Sequence, residues 1–576
     1  MDIKTVQGRA ECEGLSFLTI TLPSFGKDFQ KSLDQGIADR NSFQGFSWRA
    51  GLPQFLGGFL DRIFSRDSGV LLDKPDVEAI IAVRQLTLLF SKILLPCTYP
   101  RERDAMDGYI ECEKEVKGYT DLWDSSDYDE FHRMSNILFS SVFSVMDKLI
   151  YNEDVVPKHG PGATADKLMG NQKFRLNRWT HRLQEVFSFE NFLLPNARYA
   201  HEDDVTFDEP GAEQPVRVIS VPKTQKTPRI IAIEPTCMQY MQQALLEPLI
   251  LSIESHPILG RLLGFSDQTP NQRMAQAGSR ENGSLATLDL SDASDRVSNQ
   301  LVRTMCRNFP SLLRGLDATR SRRASVPGHG VVRLAKYASM GSALCFPIEA
   351  MVFLTAIFLG IEKELNTRFT TINDIQHYCG RVRVYGDDII VPTDTVESVI
   401  QSLEHFGARV GRSKSFATGR FRESCGKEYF DGYDVSVVKF RRMFPTSRSD
   451  GQGVISLISF RNQLYKAGCW QVCRYLDSKI WKVLKYYPVV EESSPVLGRF
   501  SFLGYQQERE CDHLHRPLVK GYVVDSLIPK NSLSDKGALL KFFLKRGGLP
   551  SVDGRHLERS GRPRAVNIKP RWAPPY

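Results

Sequence analysis

The sequence predicts an α+β protein, and three observations between residues 285 and 440 carry that prediction. SLATLDLSDASD starts as a short strand and passes into helix-forming residues. YASMGSALCFPIEAMVFLTAIF feeds a serine and glycine loop into an apolar run of helical length. RVRVYGDDIIVP alternates valines with arginines, turns at a glycine and resumes a β-branched run, the pattern of a hairpin. Strands and helices therefore alternate, and KSFATGRFRESCGKEYFDG closes the same block. No period of about 20 to 50 residues recurs, which sets aside solenoids and propellers.

With 576 residues, 41% hydrophobic and 25% charged, the chain can bury large cores and lies far from the disordered class. Length alone suggests roughly three to four domain-sized units. An excess of 75 Lys and Arg over 67 Asp and Glu tilts the surface toward polyanions. Eleven cysteines, scattered from Cys12 to Cys511 without framework spacing, fit a reducing, cytoplasmic setting. LSFLTITLP follows acidic residues instead of a basic leader, so no signal peptide is expected. Ala350 to Ile361 is about twelve apolar residues between Glu349 and Glu362, short of the roughly 20 that span a bilayer, and reads as a core helix.

Outside the centre the texture changes. Residues 1–150 mix helical patches with turn-rich pieces and carry no chemical motif. Residues 155–235 are basic and glycine-rich, with PKHGPGATAD and VPKTQKTPRIIAIEP as loops and strands. Residues 455–545 have helical apolar spacing. From Arg555 onward six Lys and Arg stand against one acidic residue, with prolines, which predicts an extended basic arm.

The chemistry concentrates in carboxylates. Asp387 and Asp388 sit side by side in the expected hairpin turn, where each repels the other and is costly to desolvate. A Gly-Asp-Asp turn alone is equally an acidic surface hairpin. Asp289, however, lies near the end of the Leu285–Leu290 strand, and Ser294 or Asp295 is placed to cap a helix whose apolar face holds Val297, Leu301, Val302 and Met305. If that strand pairs with the hairpin, three carboxylates converge, an arrangement that suits two Mg²⁺ ions shared with substrate phosphates. Lys223, Lys226 and Arg229 recur every third residue in a segment broken by prolines and offer the charge a triphosphate needs. Ser339-Met340-Gly341-Ser342 precedes the apolar helix and could present N–H groups and hydroxyls to a phosphate or sugar, or simply start the helix. Cys469, Cys473, Cys511, His513 and His515 depart from common zinc spacings, and buried thiols are routine in such an apolar helical run.

Taken in order, the basic strand at 221–235, DLSDASD, SMGS with its helix, YGDD and FRESCGKEYFDG resemble the motif series of RNA-dependent RNA polymerases. The wording is similar to the replicase β subunit of the levivirus-like positive-strand RNA bacteriophages, over about residues 155–440. The resemblance implies a right-hand polymerase with fingers, palm and thumb, replicating a single-stranded RNA phage genome without a primer. It implies an N-terminal region (1–150) that joins the fingers and contacts host factors, and fingers with the basic nucleotide-channel strand (151–274). It further implies a catalytic palm (275–420), a palm end and helical thumb (421–545) and a basic tail (546–576). By the same resemblance Asp289, Asp387 and Asp388 would ligate two Mg²⁺, and Lys414 would lie where a proton is often given to pyrophosphate. Lys223, Lys226, Arg229, Ser339, Gly341 and Asp295 would bind nucleotide. The partners implied are RNA template and product, ribonucleoside triphosphates, host elongation factors Tu and Ts and a ribosomal protein, in the cytoplasm of the infected bacterium and without a membrane. One departure stands out: the family loop reads Ser-Met-Gly-Asn, and this chain has Ser342. A two-metal nuclease, a reverse transcriptase and a non-catalytic RNA-binding protein are the alternatives, of which the nuclease would not need the basic strand.

Overall fold

Apolar spacing draws the first part of the chain onto the centre instead of into a separate body. The computed structural model describes residues 2–199, 205–527, 531–545 and 565–576. LSFLTITLP forms a π-helical turn, Phe17–Thr21, that runs into the helix Leu22–Gln35 (α1), with Phe25, Phe29 and Leu33 buried. Val77–Leu88 (α2) starts at Asp76, whose carboxylate accepts the Ala79 N–H. These helices share one core with Phe416, Phe421, Phe430 and Val435, more than 300 residues later in the chain. Tyr99–Leu122 (α3) and Ser125–Tyr151 (α4) follow, the second opening on a capping box between Asp124 and Asp127.

Val216–Val221 (β1) and Arg229–Ile233 (β2) form a hairpin whose loop spans 222–228. Next come the helix Thr236–Ser255 (α5) and the strand Leu285–Asp289 (β3). Arg323–Val326 (β4) and Gly330–Arg333 (β5) then return to the first sheet, giving the order β2-β1-β4-β5 with β1 and β4 parallel.

The central sheet forms around Cys345–Leu365 (α6), Arg383–Tyr385 (β6), Asp388–Pro392 (β7) and Val396–His405 (α7). Its order is β6-β7-β3, antiparallel throughout, with Asp388 opposite Asp289 and Ile390 opposite Thr287. Phe421–Ser424 (β8), Lys427–Phe430 (β9) and Tyr433–Asp434 (β10) make a small antiparallel sheet beside it. Gly451–Lys466 (α8), Trp470–Val483 (α9), Pro517–Leu527 (β11) and Ala565–Ala573 (β12) complete the chain.

Three sequence expectations change. The apolar helix α6 has 21 residues, not about twelve, and among the described residues it is the one helix long and apolar enough to cross a bilayer. It is a core helix nonetheless, since 89% of its most apolar window is buried in the protein. The expected cap at Ser294 or Asp295 is replaced by a break: a short turn, Ala293–Arg296, ends at Val297, whose carbonyl accepts the Tyr337 N–H at 2.7 Å. The helix Asn299–Met305 then starts at Ser298, whose hydroxyl accepts the Gln300 N–H. The basic arm is not free at its end. Residues 546–564 lie outside the described residues, but β12 pairs with β11 over nine residues, because alternating residues from Val566 give it a strand pattern that the basic count conceals.

Phe358 is fully buried in α6, with edge contacts to Phe369 and Tyr378. Phe358→Ala should cost about 3–5 kcal/mol through lost burial and the cavity left behind. Urea denaturation followed by tryptophan fluorescence measures it, and a loss under about 1 kcal/mol would contradict this packing.

Candidate active site

A two-residue turn sets the geometry. Gly386 and Asp387 join β6 to β7, and Gly386 has φ 61°, the left-handed backbone that the first position of a type II′ hairpin turn requires. A side chain there would also run into the Phe346 ring. Asp388 is the first residue of β7 and stands directly across the ladder from Asp289, the last residue of β3. Directly opposed residues share a face, so the two carboxylates are brought together by register alone.

The other edge of β3 fixes Asp289 further. Residues 409–416 run along it as an irregular segment, bridging Thr287 to Phe416 and Leu290 to Val410. The Asp289 N–H donates to Ser415 Oγ (3.2 Å), and its carbonyl accepts the Gly411 N–H (2.8 Å). Lys414 lies in the turn of this segment, not in a strand, and its Nζ is 3.1 Å from both carboxylate oxygens of Asp289.

The electrostatics record the crowding. Burial pushes the Asp388 carboxyl up to about 6, against the Cys425 N–H that donates to its Oδ1 at 3.1 Å, and the Asp387 and Asp289 charges push the same way. Burial, followed by Asp289, also raises Asp387. Burial works against the Lys414 charge, but Asp289 and then Glu423 and Asp387 hold its pKa above 10.5. Three carboxylates are hard oxygen donors, the set that Mg²⁺ takes, and the raised proton affinity of Asp387 and Asp388 marks a site short of positive charge. The donor chemistry therefore fits a divalent cation. Among the described residues no three His, Cys, Asp or Glu side chains are grouped closely enough to hold a metal ion, and Lys414 is the charge that balances Asp289. The weighed zinc ligands likewise form no cluster, and Cys473 is buried with its thiol toward the Arg461 carbonyl.

The basic segment is a hairpin. Lys223 and Lys226 lie in the β1–β2 loop and Arg229 opens β2 opposite Val221. Among the described residues none of the three makes an ion pair or side-chain hydrogen bond. Burial, then Arg229 and Lys414, lower the Lys223 pKa, while Asp387 and Asp289 pull it back up, so this lysine faces the carboxylates. The Ser339–Ser342 loop tucks against β2, where the Ala232 N–H donates to the Met340 carbonyl at 2.8 Å. Gly341 has φ 135°, and a side chain there would strike the Ala232 carbonyl oxygen. Ser342 Oγ donates to Gln242 Oε1 at 3.2 Å.

Ser339 and Asp295 are present but already engaged. Ser339 shares a 3.0 Å hydrogen bond with the Tyr109 hydroxyl. Asp295 accepts from Lys336 Nζ at 3.0 Å, and that fully buried ammonium also meets Glu113 at 3.6 Å and lies 3.5 Å over the Tyr109 ring. Sequence reasoning missed Lys336, Glu113 and Tyr109. Helical spacing offered one signal, since Tyr109, Cys112, Glu113 and Val116 share a buried face of α3 on which a glutamate stands out.

A profile of the family described as "RNA replicase, beta-chain" matches residues 202–490. The chain is 31% identical over 306 residues to the RNA-directed RNA polymerase beta chain of Enterobacteria phage fr, covering 53% of this chain and 49% of that one. It is 35% identical over 275 residues to the RNA-directed RNA polymerase subunit beta of Qbeta virus (strain MX1), covering 47% and 42%. It is 34% identical over 257 residues to the beta chain of Escherichia phage MS2, covering 43% of each. The matched part thus spans less than half the length of these curated relatives. The RNA-dependent RNA polymerase of a human picorbirnavirus superposes with a TM-score of 0.32 at 13% identity, over 43% of this chain and 52% of that one, too loosely to bear on the fold.

Asp388 gives a stability test whose sign is fixed. Its carboxyl is raised from 3.8 to about 6, so between those values the folded protein holds a proton that the unfolded chain has released. This group's contribution to stability falls as pH rises through that window, and above it the cost is fully present, up to about 3 kcal/mol. Asp388→Asn keeps an acceptor for Cys425 and removes the charge. In EDTA the variant should be more stable than the parent at pH 8, with the difference closing by pH 4; a difference independent of pH would refute the electrostatic account.

Proposed function

We propose that this chain, which belongs to the RNA replicase β-chain family, synthesises RNA on an RNA template by nucleotidyl transfer from ribonucleoside triphosphates. The observation that carries the reading is the register that sets Asp289 against Asp388, beside a hairpin whose three cations are unpaired among the described residues. Asp289, Asp387 and Asp388 are the residues that would hold two Mg²⁺. Bound there, the ions would lower the pKa of the RNA 3′-hydroxyl and neutralise charge on the α-phosphate and on the pyrophosphate leaving group.

The chain's own residues do the positioning. Lys223, Lys226 and Arg229 bind the triphosphate and orient its α-phosphate toward the carboxylates, Arg229 being able to grip two oxygens at once. Lys414 holds Asp289 in place and carries a proton within reach of the leaving group. Gly341 keeps its loop close to β2, and Asp295 and Ser339, held by Lys336 and Tyr109, shape the sugar side of the site. Base choice comes from template pairing.

In this reading residues 275–420 are the palm, 151–274 the fingers, 421–545 the palm end and thumb, and 1–150 an extension of the fingers. Synthesis starts without a primer, on a phage genome, in the cytoplasm of the infected bacterium. Host elongation factors Tu and Ts and a ribosomal protein are the proposed partners. Much of the apolar surface of the N-terminal region is buried in a core shared with Phe416, Phe421, Phe430 and Val435. In the C-terminal part Trp470, Tyr475, Trp481, Phe502 and Leu503 are exposed and support docking there.

The deciding assay supplies purified chain with an RNA template, four ribonucleotides and Mg²⁺, with and without bacterial extract, and reads both synthesis and degradation of RNA. Asp289→Ala, Asp387→Ala and Asp388→Ala should each lower nucleotide addition about a thousandfold, a loss of roughly 4 kcal/mol of transition-state stabilisation. Retention of more than about a tenth of the parent rate would remove that residue from the set. Arg229→Ala should raise the KM for nucleotides more than it weakens template binding; the reverse pattern would move Arg229 to the template path.

A further inference from the structure

The first hundred residues bring to the site charges that lie outside the motif series. Together with Arg101 of α3 they hold the 222–228 loop at three points: the Thr19 hydroxyl bonds to Gln225 Oε1, Arg101 Nη1 donates to the Gln225 carbonyl at 2.9 Å, and Cys97 Sγ to the Thr224 carbonyl at 3.2 Å. Helix α1 lies along the segment behind Asp289, where Lys31 Nζ donates to the Ser415 carbonyl (3.1 Å) and Asp34 Oδ1 accepts the Thr418 and Gly419 N–H groups. Lys27 sits one helical turn before Lys31 and has Lys414, Lys226, Glu423 and Asp289 as its charged neighbours. The stretch after α2 runs beside residues 438–441, with the Leu89 carbonyl accepting the Phe440 N–H and the Leu94 N–H donating to the Arg441 carbonyl, each at 2.8 Å. Lys92 lies in that stretch, and its charged neighbours are Lys439, Lys223, Lys414 and Glu423.

Lys27, Lys92, Lys223 and Lys226 therefore converge on one cleft from three separate parts of the chain. Among the described residues none of the four makes an ion pair or a side-chain hydrogen bond. Lys27 and Lys223 are exposed to water, and burial is the first cause that lowers both pKa values. Burial and then Lys439 push Lys92 down to about 8. Cations held together without partners repel one another, and a compact anion of several charges relieves all of them at once. The nearby carboxylates do not balance them: Asp289 is held by Lys414, Glu423 lies beside Glu428, whose charge adds to burial in raising its pKa, and Asp387 is one carboxylate facing Lys223.

We propose that Lys27 and Lys92 join Lys223 and Lys226 in binding the polyphosphate of the incoming nucleotide, so that the N-terminal region forms the outer wall of the substrate channel. The compact grouping around carboxylates favours a polyphosphate over an RNA backbone, which would call for a stripe of cations. Naming the polyphosphate as a nucleotide's rests on the polymerase reading; polyphosphate binding itself does not.

The test uses the full chain with Lys27→Met, Lys92→Met, both together, and Lys363→Met in α6 as a control. Calorimetry measures inorganic tripolyphosphate, and fluorescence anisotropy measures a single-stranded RNA oligonucleotide. The double variant should bind tripolyphosphate at least about tenfold more weakly and RNA within about twofold of the parent, with KM for nucleotides rising in step and kcat largely kept. Lys27→Arg with Lys92→Arg should restore binding, which separates lost charge from lost folding. Unchanged tripolyphosphate affinity in the double Met variant, or an equal loss of RNA affinity, overturns the proposal. Tripolyphosphate binding through these lysines in a chain that makes no RNA would uphold this inference and sink the polymerase reading instead.

Discussion

One antiparallel register, Asp388 against Asp289, is the constraint around which the centre of this protein is arranged. A slip of one residue would send Asp388 to the other face of the sheet and dissolve the site. Holding that register brings like charges together in a partly desolvated place, and each surrounding feature answers some part of that cost. Lys414 neutralises Asp289, the Cys425 N–H donates to Asp388, and Ser415 and Gly411 tie the backbone of Asp289 to the neighbouring segment. The raised pKa of Asp388 shows that the compensation is incomplete.

The same constraint explains why the N-terminal region cannot be a separable domain. The strands that follow the hairpin need buried partners, and α1 and α2 supply them. Arg84 reaches from α2 to Glu428 at 2.7 Å and donates to the Val435 carbonyl, while Arg422 meets Asp34 of α1 at 3.5 Å and donates to the Leu285 carbonyl of β3 at 2.6 Å. All four side chains are almost inaccessible to water. Removing one partner of such a pair would leave a buried charge exposed to low dielectric, so these contacts hold α1, β8, β9 and β3 in one arrangement. Phe416, Phe421 and Phe430 complete the join by packing into the N-terminal core.

What could be read from the sequence follows from how far apart the interacting residues lie. The hairpin turn at Gly386 and Asp387 and the strand ending at Asp289 were legible because turn chemistry and alternation are local signals. Their pairing could be stated only as a condition, since 99 residues separate Asp388 from Asp289 and no local pattern sets a register at that distance. The end of the Ala293–Arg296 turn was misread for the same reason: the backbone contact that stops it comes from Tyr337 and the cation that occupies Asp295 comes from Lys336. The basic tail misled in another way, because charge count dominated a stretch whose alternation was that of a strand. Lys27 and Lys92 carried no signal at all, since an isolated lysine in a helical patch looks like any solvated one.

That last failure points to a distinction the folded structure makes and the sequence does not. Two kinds of charge occur in this fold. Arg84 with Glu428, Arg182 with Glu213 and Lys336 with Asp295 and Glu113 are buried ion pairs, so each charge has an opposite charge within the protein. Lys27, Lys92, Lys223 and Lys226 are reachable by water and unmatched among the described residues, although arginines and lysines elsewhere in the chain readily find carboxylates. An unmatched charge on a flexible surface costs little, because water and salt screen it. Four of them brought together from three parts of the chain are screened less and repel more, so the protein keeps a standing cost that a bound anion removes. Matched charges therefore mark the scaffold, and the unmatched ones mark where a ligand completes it.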